Sequence, residues 1–91
     1  MKFCLIFTED KNKSQIADIV ASRFSGFTFL YGRSFWTSEF PNTTIAREDS
    51  LVIVVLTNDV KGIRDIAREI KRVNNQESVL VTSFDTEMER I

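Results

Sequence analysis

The chain has 91 residues, of which 43% are hydrophobic and 27% charged, and its 12 basic and 13 acidic side chains leave a net charge of −1. This composition is typical of a globular protein, and a chain of this length builds only a small hydrophobic core unless a partner covers part of it. The balanced charge excludes a global field that would attract nucleic acid or an anionic membrane, so we expect neither partner.

Two residue types restrict the chemistry further. The chain has no histidine, which excludes the commonest general base and most zinc sites. Cys4 is the only cysteine, so a disulfide within the chain is excluded and the expected location is a reducing cytoplasm. Walker-type and dinucleotide-binding glycine motifs are also missing from the sequence. We therefore expect neither a metal nor a cofactor.

The first third of the chain predicts a strand, a helix and a second strand. Residues 2–8 contain a continuous apolar run, which is typical of a strand covered on both faces. An amphipathic helix follows, because four apolar residues recur at spacings of three and four, and Gly26 is suited to end it; these residues are Ile16, Ile19, Val20 and Phe24. Residues 27–32 alternate aromatic side chains with others, which predicts an edge strand.

The stretch 33–44 is the least regular part of the chain. It contains several serines and threonines together with Pro41 and Asn42. We interpret it as a hairpin connection of about a dozen residues, and loops of that length in compact domains are often functional.

The second half of the chain is centred on residues 50–57, which read SLVIVVLT. Six apolar residues stand here without a polar interruption, so this segment is predicted to be a central strand with both faces covered. Asn58 or Asp59 is predicted to cap a second amphipathic helix that ends at Asn74. A last strand is predicted at 78–84.

The predicted order βαββαβ is the split βαβ arrangement of ferredoxin-like α+β domains. Right-handed crossovers give a four-stranded antiparallel sheet of order 4-1-3-2 with both helices on one face. We expect a single domain over residues 1–84, followed by a polar tail over 85–91.

The opposite face of the sheet would remain apolar and without a helix. We therefore expect a homo-oligomer that buries this helix-free face. Either Leu51, Ile53 and Val55 or the alternate set Val52, Val54 and Leu56 would meet the partner; the sequence leaves both open.

Aromatic and basic residues cluster around the stretch 33–44. Tyr31 and Trp36, with Arg33 between them, fit either simple packing or a stacking platform for a nucleobase or another flat anionic ligand. Residues 50–57 lack the aromatic side chains that an RNA-recognition module needs on its third strand, so RNA binding is not expected. The basic flank of the second helix fits either a solvated face, which is the commoner case, or a docking patch.

Three short motifs carry a resemblance to known proteins. YGRSFW, REDS and NNQESVLV resemble the glycine-aromatic, acidic-x-Ser and Gln-Glu-x-Val-Leu motifs of small uncharacterised phage and bacterial proteins of ferredoxin-like fold. The similarity covers most of residues 26–82. It implies a site that includes Tyr31, Gly32, Trp36, Glu48, Ser50, Gln76 and Glu77.

Combining the motifs with the charges places the predicted site where segment 33–47 meets the start of the last strand, near a subunit boundary. Trp36 would provide a stacking face, Arg33 and Arg47 positive charge, and Glu48 and Gln76 hydrogen bonds. Capping of turns and backbone by Glu48, Gln76 and their neighbours remains the alternative interpretation of the polar residues.

Two classes of function remain open on the sequence. The first is a non-enzymatic oligomer that sequesters a small anionic or nucleotide-like ligand, with a host protein as another possible partner; the phage resemblance implies interference with a defence signal in the host cytoplasm. The second is a small enzyme in which Glu48 or Glu77 is the base and Tyr31 or Arg33 polarises the substrate. The lack of histidine favours the first class.

Overall fold

The computed structural model describes the backbone of residues 1–38 and 44–91, and the side chains of these residues other than Trp36, Ser38 and Thr44. The elements follow the order β1 (Lys2–Glu9), α1 (Lys13–Ala21), β2 (Thr28–Ser38), β3 (Thr44–Thr57), α2 (Val60–Asn74) and β4 (Leu80–Asp85). The strands form one antiparallel sheet of order β2-β3-β1-β4. This order is the predicted 4-1-3-2 arrangement read in the opposite direction, so the ferredoxin-like prediction is confirmed.

The hydrophobic core lies between the two helices and one face of the sheet. Alternate residues of the two central strands point into it and are at most 1% exposed: Cys4, Ile6, Leu51, Ile53 and Val55. Helices α1 and α2 cover them with Ile16, Val20, Ile63, Ile66 and Ile70. The set Leu51, Ile53 and Val55 therefore faces the helices.

The other face of the sheet carries the alternate side chains of the same strands. Because Cβ atoms alternate along a strand and paired residues share a face, the register assigns nine large apolar side chains to this helix-free face: Phe3, Leu5, Phe7, Leu30, Val52, Val54, Leu56, Leu80 and Phe84. Each is partly or fully exposed. No element of the described residues covers this face.

The predicted loop at 33–44 is wrong over most of its length. Strand β2 continues to Ser38 and β3 begins at Thr44, and the two pair from Thr28 opposite Val54 to Ser38 opposite Thr44. The polar composition misled the prediction, because a ladder of backbone hydrogen bonds forms with polar side chains as well as with apolar ones. Of the predicted loop, only residues 39–43 lie outside the part of the chain that the structure describes.

Helix α1 also ends earlier than predicted. It stops at Ala21, and the Ser22 hydroxyl donates a hydrogen bond to the carbonyl oxygen of Ile19 over 2.6 Å. The N–H groups of Arg23 and Phe24 both donate to the carbonyl oxygen of Val20, which closes the last turn. Phe24 reaches the core from beyond the helix, so its spacing was not a sign of further helical turns.

Candidate functional site

A cleft of about 470 Å³ lies where strand β1 ends, beside the helix-free face. Strand β1 contributes one wall, β3 and the start of the projecting β2–β3 hairpin contribute the second, and the segment between α2 and β4 contributes the third. The lining residues are Phe7, Thr8, Glu9, Ser34, Glu48, Ser50, Gln76, Glu77, Ser78, Val79 and Leu80. Four residues of the predicted site are among them, so the structure brings together Glu48, Ser50, Gln76 and Glu77.

The carboxylates give the cleft its electrostatic character. Glu9, Glu48 and Glu77 line it, and among the described lining residues there is no lysine or arginine. Lys11 pairs with Glu9 at 2.9 Å, while Glu48 and Glu77 have no ion pair among the described residues. The cleft is therefore suited to a ligand that donates hydrogen bonds or carries positive charge.

Two serines add hydroxyl groups to the same wall. Ser34 of β2 and Ser50 of β3 share a hydrogen bond, and Ser50 is only 6% exposed. By strand alternation both point to the helix-free side, as does Glu48. The polar wall is thus built by the β2–β3 hairpin where it leaves the rest of the sheet.

Gln76 holds the third wall in place. Its side-chain oxygen accepts hydrogen bonds from the Thr8 hydroxyl, from the Glu9 N–H at 3.3 Å and from Asn74 Nδ2 at 3.0 Å. Its Nε2 donates to the carbonyl oxygen of Ser78 at 3.2 Å. These bonds occupy much of the amide, so Gln76 positions the neighbouring Glu77 and Ser78 rather than offering a free amide to a ligand.

Asn74 extends this network beneath the cleft. It is 1% exposed, and Nδ2 also donates to the Thr8 hydroxyl at 3.0 Å. Asn12 Nδ2 donates to Asn74 Oδ1 at 2.9 Å. The network connects the start of α1, the end of α2 and the end of β1, which makes this wall of the cleft well defined.

Three other predicted site residues lie away from the cleft, on the helix side of the sheet. Register and alternation put Tyr31, Arg33 and Arg47 on the helix side of the sheet. There Lys13 Nζ lies 5.0 Å from the centre of the Tyr31 ring, and Arg33 pairs with Asp49 at 3.3 Å. Trp36 pairs with Ala46 in the hairpin, and its side chain lies outside the described part of the structure.

Sequence reasoning missed Glu9, Ser34 and the apolar residues Phe7 and Leu80 as parts of the site. The signal for Glu9 was available: antiparallel pairing of the two apolar runs brings the polar residues just beyond them together, and Glu9 does face Ser50. Phe7 and Leu80 also form a directly opposed pair and belong to the helix-free face. The cleft and the apolar face are therefore continuous.

Two structural features are absent from the described residues. In residues 1–38 and 44–91 no group of three or more metal-ligating side chains is close enough to hold an ion. Within the same ranges no helix is long and apolar enough to cross a membrane.

Comparisons with known proteins give structural likeness only. No protein-family model matches the chain, and no curated protein does either. A phage SAM lyase in complex with S-methyl-5′-thioadenosine has a TM-score of 0.71 at 17% identity, over 92% of this chain and 80% of the other.

Two further solved structures are of comparable similarity. The periplasmic divalent cation tolerance protein CutA from Archaeoglobus fulgidus has a TM-score of 0.72 at 15% identity, over 99% of this chain and 88% of its own. The Bacillus subtilis GlnK–ATP complex has a TM-score of 0.65 at 18% identity, over 91% and 80%. At these identities the likeness shows the fold alone, which is the ferredoxin-like fold in the form found in CutA and PII-like proteins.

Proposed function

We propose that this protein is a homo-oligomer that binds a small, positively charged or neutral nucleoside in the cleft, with S-adenosylmethionine as the ligand to test first. The observation that carries the proposal is the lining of the cleft: three carboxylates and several hydroxyls, without a cation among the described residues. The apolar side chains of Phe7, Val79 and Leu80 offer surface for a flat base.

The charge of the cleft supports one of the ligand classes expected from the sequence over the other. At about 4 Å, two unit charges interact by about 4 kcal/mol when the effective dielectric constant is about 20. A phosphate group among three carboxylates is repelled by this order of energy, whereas a sulfonium ion is attracted. The lining thus favours a neutral or positively charged nucleoside over the anionic ligand that was also expected from the sequence.

Two of the structurally similar proteins support an adenosine-containing ligand. One is a SAM lyase bound to S-methyl-5′-thioadenosine and the other is GlnK bound to ATP. The first is also a phage protein, in agreement with the resemblance carried by the sequence motifs. Removal of a host nucleoside or nucleotide signal by a phage-encoded protein in the host cytoplasm is the biological role that we attach to this proposal.

The proposed assembly buries the helix-free face and closes the cleft. Phe7 and Leu80 belong to both, so a second copy seated on this face also borders the ligand. The projecting hairpin also carries exposed apolar side chains on the opposite, helix side of the sheet, with Phe35 59% and Ile45 60% exposed, so a contact through them is separate from the helix-free face. Exposed apolar residues on a protruding element favour contact with a neighbouring copy.

A second candidate function is cleavage of the same ligand. The likeness to a SAM lyase and the presence of Glu48 and Glu77 in the cleft favour it. In an elimination, a carboxylate takes a proton from the amino-acid chain of the ligand, at the carbon next to the one bound to sulfur. A carbon–carbon double bond forms in that chain, its C–S bond breaks, and the electron pair of this bond stays on sulfur. S-methyl-5′-thioadenosine leaves without needing a proton, so the cleft needs only a base.

The test is calorimetric titration with S-adenosylmethionine, S-methyl-5′-thioadenosine and ATP. We expect S-adenosylmethionine to bind most tightly, and Glu48→Gln to weaken it about tenfold or more, which corresponds to about 1.4 kcal/mol. S-methyl-5′-thioadenosine has no positive sulfur, so the same substitution should affect it less. Asp18→Asn, on the exposed side of α1, is the control.

Chromatography of the incubated ligand separates the two functions. Intact S-adenosylmethionine supports binding alone, and release of S-methyl-5′-thioadenosine that is lost in Glu48→Gln or Glu77→Gln supports the lyase. Binding of ATP without S-adenosylmethionine would overturn the charge argument. Fluorescence of Trp36, the only tryptophan, provides an independent signal in each titration.

A further inference from the structure

A second groove, of about 250 Å³, runs between α2 and β4 and shares Ser78 and Val79 with the cleft. Its helical wall carries Arg64, Arg68 and Lys71, and Val79 and Val81 provide an apolar floor. Among the described lining residues there is no carboxylate. Arg68 pairs with Asp65 at 3.3 Å, whereas Arg64 and Lys71 have no ion pair within the described ranges.

The strand beside this groove has an open edge. Strand β4 pairs with β1 on one side and is the last strand of the sheet on the other. An edge strand presents unpaired backbone N–H and C=O groups, which another extended segment can pair with. The groove therefore offers an extended segment backbone hydrogen bonds and positive charge together.

We propose that this groove binds residues 86–91 of a second copy of the chain, added to the sheet as a fifth strand. The segment follows β4 and reads TEMERI. Glu87 and Glu89 are exposed, and neither forms an ion pair in the described part of the structure. The segment also contains Arg90, so its side chains carry a net charge of −1, opposite in sign to the charges of the groove.

The spacing of the charges agrees with this arrangement. In an extended segment Glu87 and Glu89 point to the same side, about 6.6 Å apart at about 3.3 Å per residue. Four residues of helix correspond to a rise of about 6 Å, which is the separation of Arg64 from Arg68 along α2. The two acidic side chains thus match two successive basic positions on the helix.

The partner segment comes from another copy for a geometric reason. Residues 86–91 leave β4 after Asp85, and the Thr86 N–H donates to the carbonyl oxygen of Met1 at 3.0 Å. The groove is lined by Ser78, Val79 and Val81, at the opposite end of β4. A contact between two different surfaces of identical chains is heterologous and can close into a ring.

Charge reversal on each side tests the proposal by sedimentation of the full chain over a range of concentrations. We expect Arg64→Glu/Arg68→Glu and Glu87→Lys/Glu89→Lys each to raise the concentration needed for assembly at least fivefold. The two sets of substitutions combined in one chain should restore assembly. Asp18→Lys, a charge reversal on the exposed side of α1, should leave it unchanged.

A labelled peptide of sequence DTEMERI provides a second readout. It should bind Glu87→Lys/Glu89→Lys, whose own segment no longer fits the groove, and should bind Arg64→Glu/Arg68→Glu at least fivefold more weakly. Circular dichroism melts confirm that each variant is folded. Assembly that is unaffected by either reversal, a combined variant that is not restored, or competition of short single-stranded DNA with the peptide would overturn the proposal.

Discussion

At the scale of single residues, the side-chain amides of Asn74 and Gln76 have a structural role, because their hydrogen bonds go to other residues of the chain. Gln76 was predicted to bind a ligand, and its oxygen instead accepts hydrogen bonds from Thr8, Glu9 and Asn74. The sequence motif correctly marked the position as important. A motif gives the residue and not its hydrogen-bond partners, which lie 67 and 68 residues away for Glu9 and Thr8.

Replacing Asn74 tests the weight of this network. Asn74→Ala removes a buried side chain that bonds to Asn12, Thr8 and Gln76, and Thr8 is itself buried, so we expect the free energy of unfolding to fall by about 1–3 kcal/mol. Urea unfolding measures this change in the free energy of unfolding. Asn58→Ala, at an exposed position, is the control. A loss no larger than that of the control would contradict a structural role for the network.

Asp59 provides a prediction on pH. The Gly62 N–H donates to its carboxylate at 2.9 Å and Arg23 Nε does so at 3.0 Å; these bonds, the first above all, hold the pKa of Asp59 below its ordinary value. Because the pKa of Asp59 is lower in the folded than in the unfolded state, its carboxylate stabilises the fold at pH values above the unfolded-state pKa. This stabilisation is lost as the pH falls through the folded-state pKa.

The stabilisation by the Asp59 carboxylate is therefore expected to be lost below about pH 4. Asn also caps helices but does not titrate there, so the stability difference between the wild type and Asp59→Asn should shrink between pH 7 and pH 2. Urea unfolding at several pH values measures this difference. A difference that stays constant over the whole range would contradict the assignment.

At the scale of elements, the sequence predicted the kind and order of all six and misjudged the ends of several. Strand β3 begins at Thr44 and not at Ser50, and α1 ends at Ala21. The apolar runs that revealed the strands mark where a strand is buried, not how far it extends. The hairpin residues 33–38 and 44–49 pair mainly with each other, so their side chains need not be apolar.

At the start of α2, we expect a glycine-to-alanine substitution to destabilise the protein, which is opposite to its usual effect in a helix. Replacing glycine by alanine within an exposed helix normally stabilises it by about 0.5–1 kcal/mol. At Gly62 the added Cβ would collide with the Asp59 carboxylate and lie 2.7 Å from Arg23 Nε. We expect Gly62→Ala to lower the melting temperature, while Gly26→Ala, which meets nothing within 4 Å, serves as the control. A higher melting temperature for Gly62→Ala would contradict this prediction, because it would show that the Asp59 side chain moves aside at little cost in free energy.

At the scale of the whole molecule, the shape and the apolar face point to assembly. The radius of gyration is 14.4 Å and the longest dimension 50 Å, against about 12 Å expected for the radius of a compact chain of this length. Strand β3 contributes to this length, because its residues 44–49 extend beyond its pairing with β1. Burying about 400 Å² of the helix-free face yields about 10 kcal/mol per copy. Association costs on the order of 4–15 kcal/mol, so the gain is of the size required.

A charge in the middle of that face should prevent assembly. Val54 lies directly opposite Leu5 on the two central strands. We expect light scattering to show an oligomer for the wild type at micromolar concentration and the mass of one chain, 10.5 kDa, for Val54→Glu. Ala21→Glu, at an exposed position of α1, is the control. A wild-type mass of 10.5 kDa, or an unchanged oligomer in Val54→Glu, would contradict the proposed interface.

The sequence by itself determined the six elements, their order and the topology, because strand and helix formation depend on local patterns: two uninterrupted apolar runs, a stripe at helical spacing and a capping aspartate. It left open which side of β3 faces the helices, since an uninterrupted apolar run has no polar face to reveal its orientation. Only the tertiary structure decided that Leu51, Ile53 and Val55 are covered and that Val52, Val54 and Leu56 are not. It also decided the membership of the cleft, because strand register sends Glu48 to one face of the hairpin and its neighbour Arg47 to the other.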